Sequence, residues 1–140
     1  MTRIVLDTNV LVAAMRSKQG ASHRLVQMIA ADAPFQIAVS VPLVLEYEMA
    51  LKRRGDLSEG EAEAVVDYLC RVADAREIYF LWRPFLRDPS DEMVLEVAVG
   101  AGAECIVTHN IRDFAGVEEQ FGVRVVRPGA FLLEMEAKKT

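Results

Sequence analysis

The chain has 140 residues, 52% of them hydrophobic, and a formal net charge of -5. That size and apolar fraction suit one packed core, and no apolar run approaches the roughly 18 residues needed to span a bilayer. The acidic balance argues against a broad nucleic-acid-binding surface, which draws its affinity from clustered Lys and Arg.

Residues 1–140 are expected to form a single domain, and the amino terminus has no charged and apolar leader with a cleavage site, which places the chain in the cytoplasm without a membrane contact. The pattern then alternates strand-like and helix-like segments. Ile4-Val5-Leu6 is a short apolar strand, followed by helical stretches over Asn9 to Met15 and about Ser22 to Ala31. Phe35 to Ser40 reads as a second strand. Pro42 opens a helix through about Lys52, and Gly55 ends it. Ser58 with Glu61 forms a capping box for a helix to about Ala75, and Ile78 to Leu81 is a third strand. Ser90 caps a helix from Asp91 to about Ala101, which Gly102 closes. Cys105 to Val107 is strand four, Val123 to Val126 strand five, and Pro128 opens a terminal helix. The expected architecture is α/β, a three-layer α/β/α sandwich around a central parallel sheet of four to five strands.

Four carboxylates are placed unusually on that scaffold. Asp7 follows an apolar strand at the edge where open α/β sheets bind ligands. Glu46 lies three residues after Leu43 and four before Ala50, so it is expected on the apolar stripe of its helix, pointing inward. Asp91 begins the stripe continued by Val94, Leu95 and Ala98, and Asp113 follows strand four. A desolvated carboxylate costs several kcal/mol unless a cation compensates. No Lys or Arg stands on either stripe at helical spacing, so a metal ion is the simplest counter-charge. Singly, each acid has a local explanation in a cap, a helix dipole or a turn. The inference rests on the quartet. Glu48, by contrast, faces Lys52 at i+4 as a surface ion pair.

Val5-Leu6-Asp7-Thr8-Asn9-Val10, Glu46-Tyr47, Asp88-Pro89-Ser90-Asp91 and Thr108-His109-Asn110-Ile111-Arg112-Asp113-Phe114 together resemble the four acidic blocks of PIN-domain ribonucleases, particularly the small single-domain toxins of type II toxin-antitoxin pairs. The resemblance spans nearly the whole chain. It implies a Mg²⁺- or Mn²⁺-dependent endoribonuclease, often a homodimer and often silenced by an antitoxin protein. Asp7, Glu46, Asp91 and Asp113 would be its catalytic and metal-binding residues, with Thr8, Asn9, Thr108 and Asn110 in support. Many relatives carry an acid where Asn110 stands, so Asp113 is the only carboxylate of the fourth block, and the number of metal ions is left open.

Other residues read more plainly. Cys70 and Cys105 are expected to be buried reduced thiols, and Lys52-Arg53-Arg54 a helix end complementing its own dipole. His23 is expected to be solvated or to touch phosphate, and His109 has no acidic partner at a fixed offset, so neither is read as a general base. Tyr79 is read as core, with Trp82 beside it as a stacking alternative. Three rival functions remain. A phosphatase or receiver-like use of Asp7 lacks the second acid two residues on and a Lys between Lys52 and Lys138. An inactive PIN-like RNA-binding or dimerisation module is kept open by Asn110, and a PIN nuclease of RNA processing would look much the same in sequence.

Overall fold

The computed structural model describes residues 2–30, 33–78 and 84–138. Its strands are β1 (Thr2–Leu6), β2 (Phe35–Val39), β3 (Asp74–Ala75), β4 (Cys105–Val107) and β5 (Arg124–Val126). They pair in parallel in the order β3-β2-β1-β4-β5, one five-stranded sheet as expected. The helices are α1 (Thr8–Arg16), α2 (Ala21–Ala30), α3 (Val41–Arg54), α4 (Glu59–Val72), α5 (Pro89–Ala101), α6 (Val117–Phe121) and α7 (Pro128–Lys138). They flank the sheet in a three-layer α/β/α arrangement. None of the described helices is long and apolar enough to cross a membrane.

The central strands β1 and β4 are apolar because both of their faces are covered. Ile4, Val5, Leu6, Cys105, Ile106 and Val107 are all buried. The chain moves outward from β1 through β2 to β3, then returns to the other side of β1 for β4 and β5. This reversal is a topological switch point, and the carboxyl ends of β1 and β4 open a crevice there.

Several boundaries differ from the sequence expectation. Among the described residues the third strand is Asp74–Ala75, paired with Ala38 and Val39; the expected strand from Ile78 to Leu81 lies, apart from Ile78, outside them. Ile78 lies outside any strand, and Tyr79, Leu81 and Trp82 lie outside the described residues. A two-residue edge strand has no apolar run to announce it. Asp74 pairs instead with Arg3 at 2.9 Å and Arg76 at 2.8 Å, charges that suit a sheet edge. α4 therefore ends at Val72, short of Ala75, while its Ser58 and Glu61 capping box forms as read. Asp88, not Ser90, caps α5: its carboxylate accepts from the Ser90 N–H at 2.8 Å, and Pro89 occupies the first turn, where no N–H is needed. Gly102 closes α5 in the left-handed region, at φ 62°. The 3₁₀ turn Ile111–Phe114 and the short α6 had no periodic signal long enough to read. Cys105 is buried, but Cys70 is exposed on α4.

Candidate active site

Asp7 is the first residue beyond β1 and the N-cap of α1. One carboxylate oxygen accepts from the Thr8 backbone N–H at 2.8 Å, and the other accepts from the Thr108 hydroxyl at 2.7 Å. The second bond crosses the switch point between the ends of β1 and β4, joining residues 101 positions apart. Thr108 is fully buried and its hydroxyl also accepts from the Asn110 N–H at 3.0 Å, so it holds the turn after β4 against Asp7. Asn9 accepts from the His109 N–H at 3.3 Å, and the His109 ring bonds the Ser22 hydroxyl at 2.6 Å. Asn9 thus ties α1 to the same turn. His23 is half-buried, and its Nδ1 donates to the Ala14 carbonyl at 2.9 Å, pinning α2 to α1.

Glu46 is not fully buried on the apolar stripe of α3. The buried row of α3 is Leu43, Tyr47, Ala50 and Leu51, and Glu46 lies half-buried beside it. What fixes its position is Tyr47, whose buried hydroxyl donates to the Leu6 carbonyl at 2.5 Å. That bond docks α3 on the last residue before Asp7. Glu48 pairs with Lys52 at 3.8 Å, as its spacing implied.

Asp91 is 8% exposed in the first turn of α5. It lines a cleft of about 530 Å³ together with Asp88, Asp113, Arg87, Arg112 and the wall residues Phe85, Leu86 and Ala115. Asp113 is exposed on the 3₁₀ turn. The acids act on one another. Burial pushes the Asp91 carboxyl up to about 7, aided by the negative charges of Asp7, Asp88, Asp113 and Glu46. Asp7 is also raised, by burial first, although its bonds from Thr108 and Thr8 work the other way, with Asp113 and Asp88 adding to the rise. Asp7, Glu46 and Asp113 thus lie close enough to Asp91 for their charges to act on it, although only Asp91 and Asp113 of the four line the cleft.

One further acid, Asp88, belongs to it, and another, Glu92, supports its wall. Asp88 faces the same cleft while capping α5, and its place before a proline marks it as a cap as readily as a site residue. Glu92 is 3% exposed, and one of its oxygens accepts from the N–H groups of Phe85 at 2.8 Å and Leu86 at 3.0 Å, holding the cleft wall to α5. An acid adjacent to Asp91 in a first helical turn reads as a solvated dipole partner, so sequence alone did not single it out.

Among the described residues no group of three or more His, Cys, Asp or Glu side chains is arranged to hold a metal ion as the side chains stand. The donor set nevertheless suits a hard cation. It offers only carboxylate oxygens, it stores mutual repulsion that a cation would relieve, and the buried Thr8 hydroxyl one residue from Asp7 has no hydrogen-bond partner. Mg²⁺ needs one or two direct carboxylates and retains waters, so it does not require a closed cage.

The fold and the site define an α/β protein with an acidic cleft at the carboxyl edge of its parallel sheet. Residues 3–112 match the PIN domain family model. The chain belongs to the PIN-domain family, whose members are generally nucleases that use divalent metal. Fourteen solved chains match its fold. One is in the crystal structure of VapBC2 from Rickettsia felis bound to a DNA fragment from their promoter, with a TM-score of 0.61 and 13% identity over 90% of this chain and 98% of that one. No curated protein sequence matches the chain.

Proposed function

We propose that this chain is a Mg²⁺- or Mn²⁺-dependent endoribonuclease that hydrolyses RNA phosphodiester bonds as the toxin of a toxin-antitoxin pair. The observation that carries the reading is Asp91 itself, buried in the acidic cleft with the charges of Asp7, Asp88, Asp113 and Glu46 around it: burial first, and those charges second, push its carboxyl up to about 7. Carboxylates so placed are expensive in a folded protein without a cation. The fold likeness to VapBC2, a toxin-antitoxin complex, supports the toxin role, and a homodimer and an antitoxin are the expected partners.

Asp7 and Asp91 would hold the ion, with Glu46 and Asp113 as further ligands, direct or through water. When bound, the cation supplies Lewis acidity that activates water and neutralises charge on the phosphoryl oxygens. The chain's own residues supply position. Thr108 and the Thr8 N–H fix both Asp7 oxygens in direction while each keeps a lone pair for a ligand. Arg87 and Arg112 line the cleft beside the acids, where guanidinium groups orient a phosphodiester. Asn110, exposed on the turn after β4, offers an amide to water or phosphate in place of a fourth-block acid.

The test is cleavage of single-stranded RNA by the purified chain in Mn²⁺ and in excess chelator, run beside Glu46→Gln and Glu48→Gln. Cleavage is expected only with metal. Glu46→Gln should lower kcat by about a hundredfold or more, whereas Glu48→Gln should leave it within about twofold and cost less than about 0.5 kcal/mol, the worth of one helix-surface ion pair. Equal effects of the two substitutions, or cleavage that survives chelation, would refute the proposal.

A further inference from the structure

A second cleft, of about 390 Å³, adjoins the acidic one and shares Arg112 and Asp113 with it. Its other walls are His109, Asn110, Ile111 and Arg127. The charge balance reverses between the two. The acidic cleft sets three Asp against two Arg, whereas the second sets Arg112 and Arg127 against Asp113 alone. Among the described residues neither arginine is in an ion pair, in contrast to Arg3, Arg76 and Arg124. Both side chains are exposed. Arg127 is nevertheless held in place, because one of its terminal nitrogens donates to the His109 carbonyl at 3.0 Å. The remaining guanidinium N–H groups stay available to a ligand.

We infer that this second cleft is an anion subsite for an RNA backbone phosphate next to the scissile one, with Arg127 as its anchoring cation and Arg112 bridging the two clefts. The inference rests on the nuclease reading above. A guanidinium fork matches two phosphate oxygens at once, and a neutral His109 and the Asn110 amide add no competing negative charge. In a chain of net charge -5, a two-arginine pocket abutting the acids gives the RNA strand a direction across the carboxyl edge of the sheet. Recognition of this kind reads the backbone and is independent of base sequence.

The experiment measures binding of a labelled ten-nucleotide single-stranded RNA to Asp7→Asn protein, alone and combined with Arg127→Gln or Arg127→Lys, across a salt series. Gln keeps a polar N–H donor but removes the charge, and circular dichroism checks that the fold is unchanged. Arg127→Gln is expected to weaken binding about tenfold at low salt and to reduce the slope of log Kd against log salt by about 0.7, the value of one phosphate contact on a single strand. Arg127→Lys should keep the slope. Inorganic phosphate should compete only weakly, since a single anion lacks the neighbouring contacts. An unchanged slope in Arg127→Gln would overturn the subsite while leaving the nuclease reading intact. No RNA binding by the Asp7→Asn parent would overturn both, and competition by inorganic phosphate at concentrations comparable to the RNA would assign the pocket to a free anion instead.

Discussion

Asp7→Asn is expected to lower RNA cleavage by at least about a thousandfold, with the chain still folded. The substitution keeps the side chain's shape. The amide oxygen can accept from the Thr8 N–H, and the amide nitrogen can donate to the Thr108 hydroxyl, so the joint across the switch point survives. Only the charge is lost. A thousandfold corresponds to about 4 kcal/mol of transition-state stabilisation, the scale on which a divalent ion acts at a phosphoryl group. Since the burial of Asp7 opposes its ionisation, the metal-free variant should melt no lower than the native chain. Steady-state cleavage in Mn²⁺ and melting followed by circular dichroism check both halves. A variant that cleaves normally would remove Asp7 from the site, and one that fails to fold would make its role structural.

The second large effect is expected at Asp91. Its carboxyl is raised from 3.8 to about 7 in the folded chain, so protons bind the folded state more readily than the unfolded one. The stability this contributes is complete below pH 4 and is lost as pH rises towards and through about 7. The metal-free native chain should therefore be more stable at pH 5 than at pH 8. The difference should be about 1 to 2 kcal/mol once solvent screening at the cleft mouth is allowed for, or about 3 to 8 °C in Tm. Asp91→Asn should flatten this dependence and raise the melting temperature of the metal-free protein at pH 8. In millimolar Mn²⁺ the order should invert. The native chain gains stability because the ion binds the folded state alone, and the variant gains little. Thermal melting at pH 5 and pH 8, with and without Mn²⁺, separates these outcomes.

Much of this site was legible because strand ends and helix faces carry short-range patterns. Asp7 stood out by ending an apolar run, and Asp91 by opening an apolar helical stripe, and both lie where those patterns put them. Glu46 was harder. Stripe reasoning placed it inward, but α3 rotates so that Tyr47 takes the buried position and Glu46 its flank. Contacts across the sheet left no trace in local sequence. Thr108 reaches Asp7 only because β1 and β4 are neighbours, and Arg127 meets His109 only because β5 lies beside β4. Asp88 and Glu92 were visible as acids, but each also suits an ordinary helix start; only its place in the cleft distinguishes Asp88, and only its bonds to the Phe85 and Leu86 N–H groups distinguish Glu92. β3 went unread for a related reason: two residues paired at a charged edge carry no periodicity.

The central claim is that these carboxylates bind a catalytic cation. The most direct measurement is the anomalous scattering of manganese in crystals of the native chain grown in Mn²⁺. The expected result is a peak in contact with the carboxylates of Asp7 and Asp91, with Glu46 and Asp113 reaching it directly or through water. A peak elsewhere, or none at these residues while the protein is saturated with Mn²⁺, would contradict a metal-dependent nuclease site.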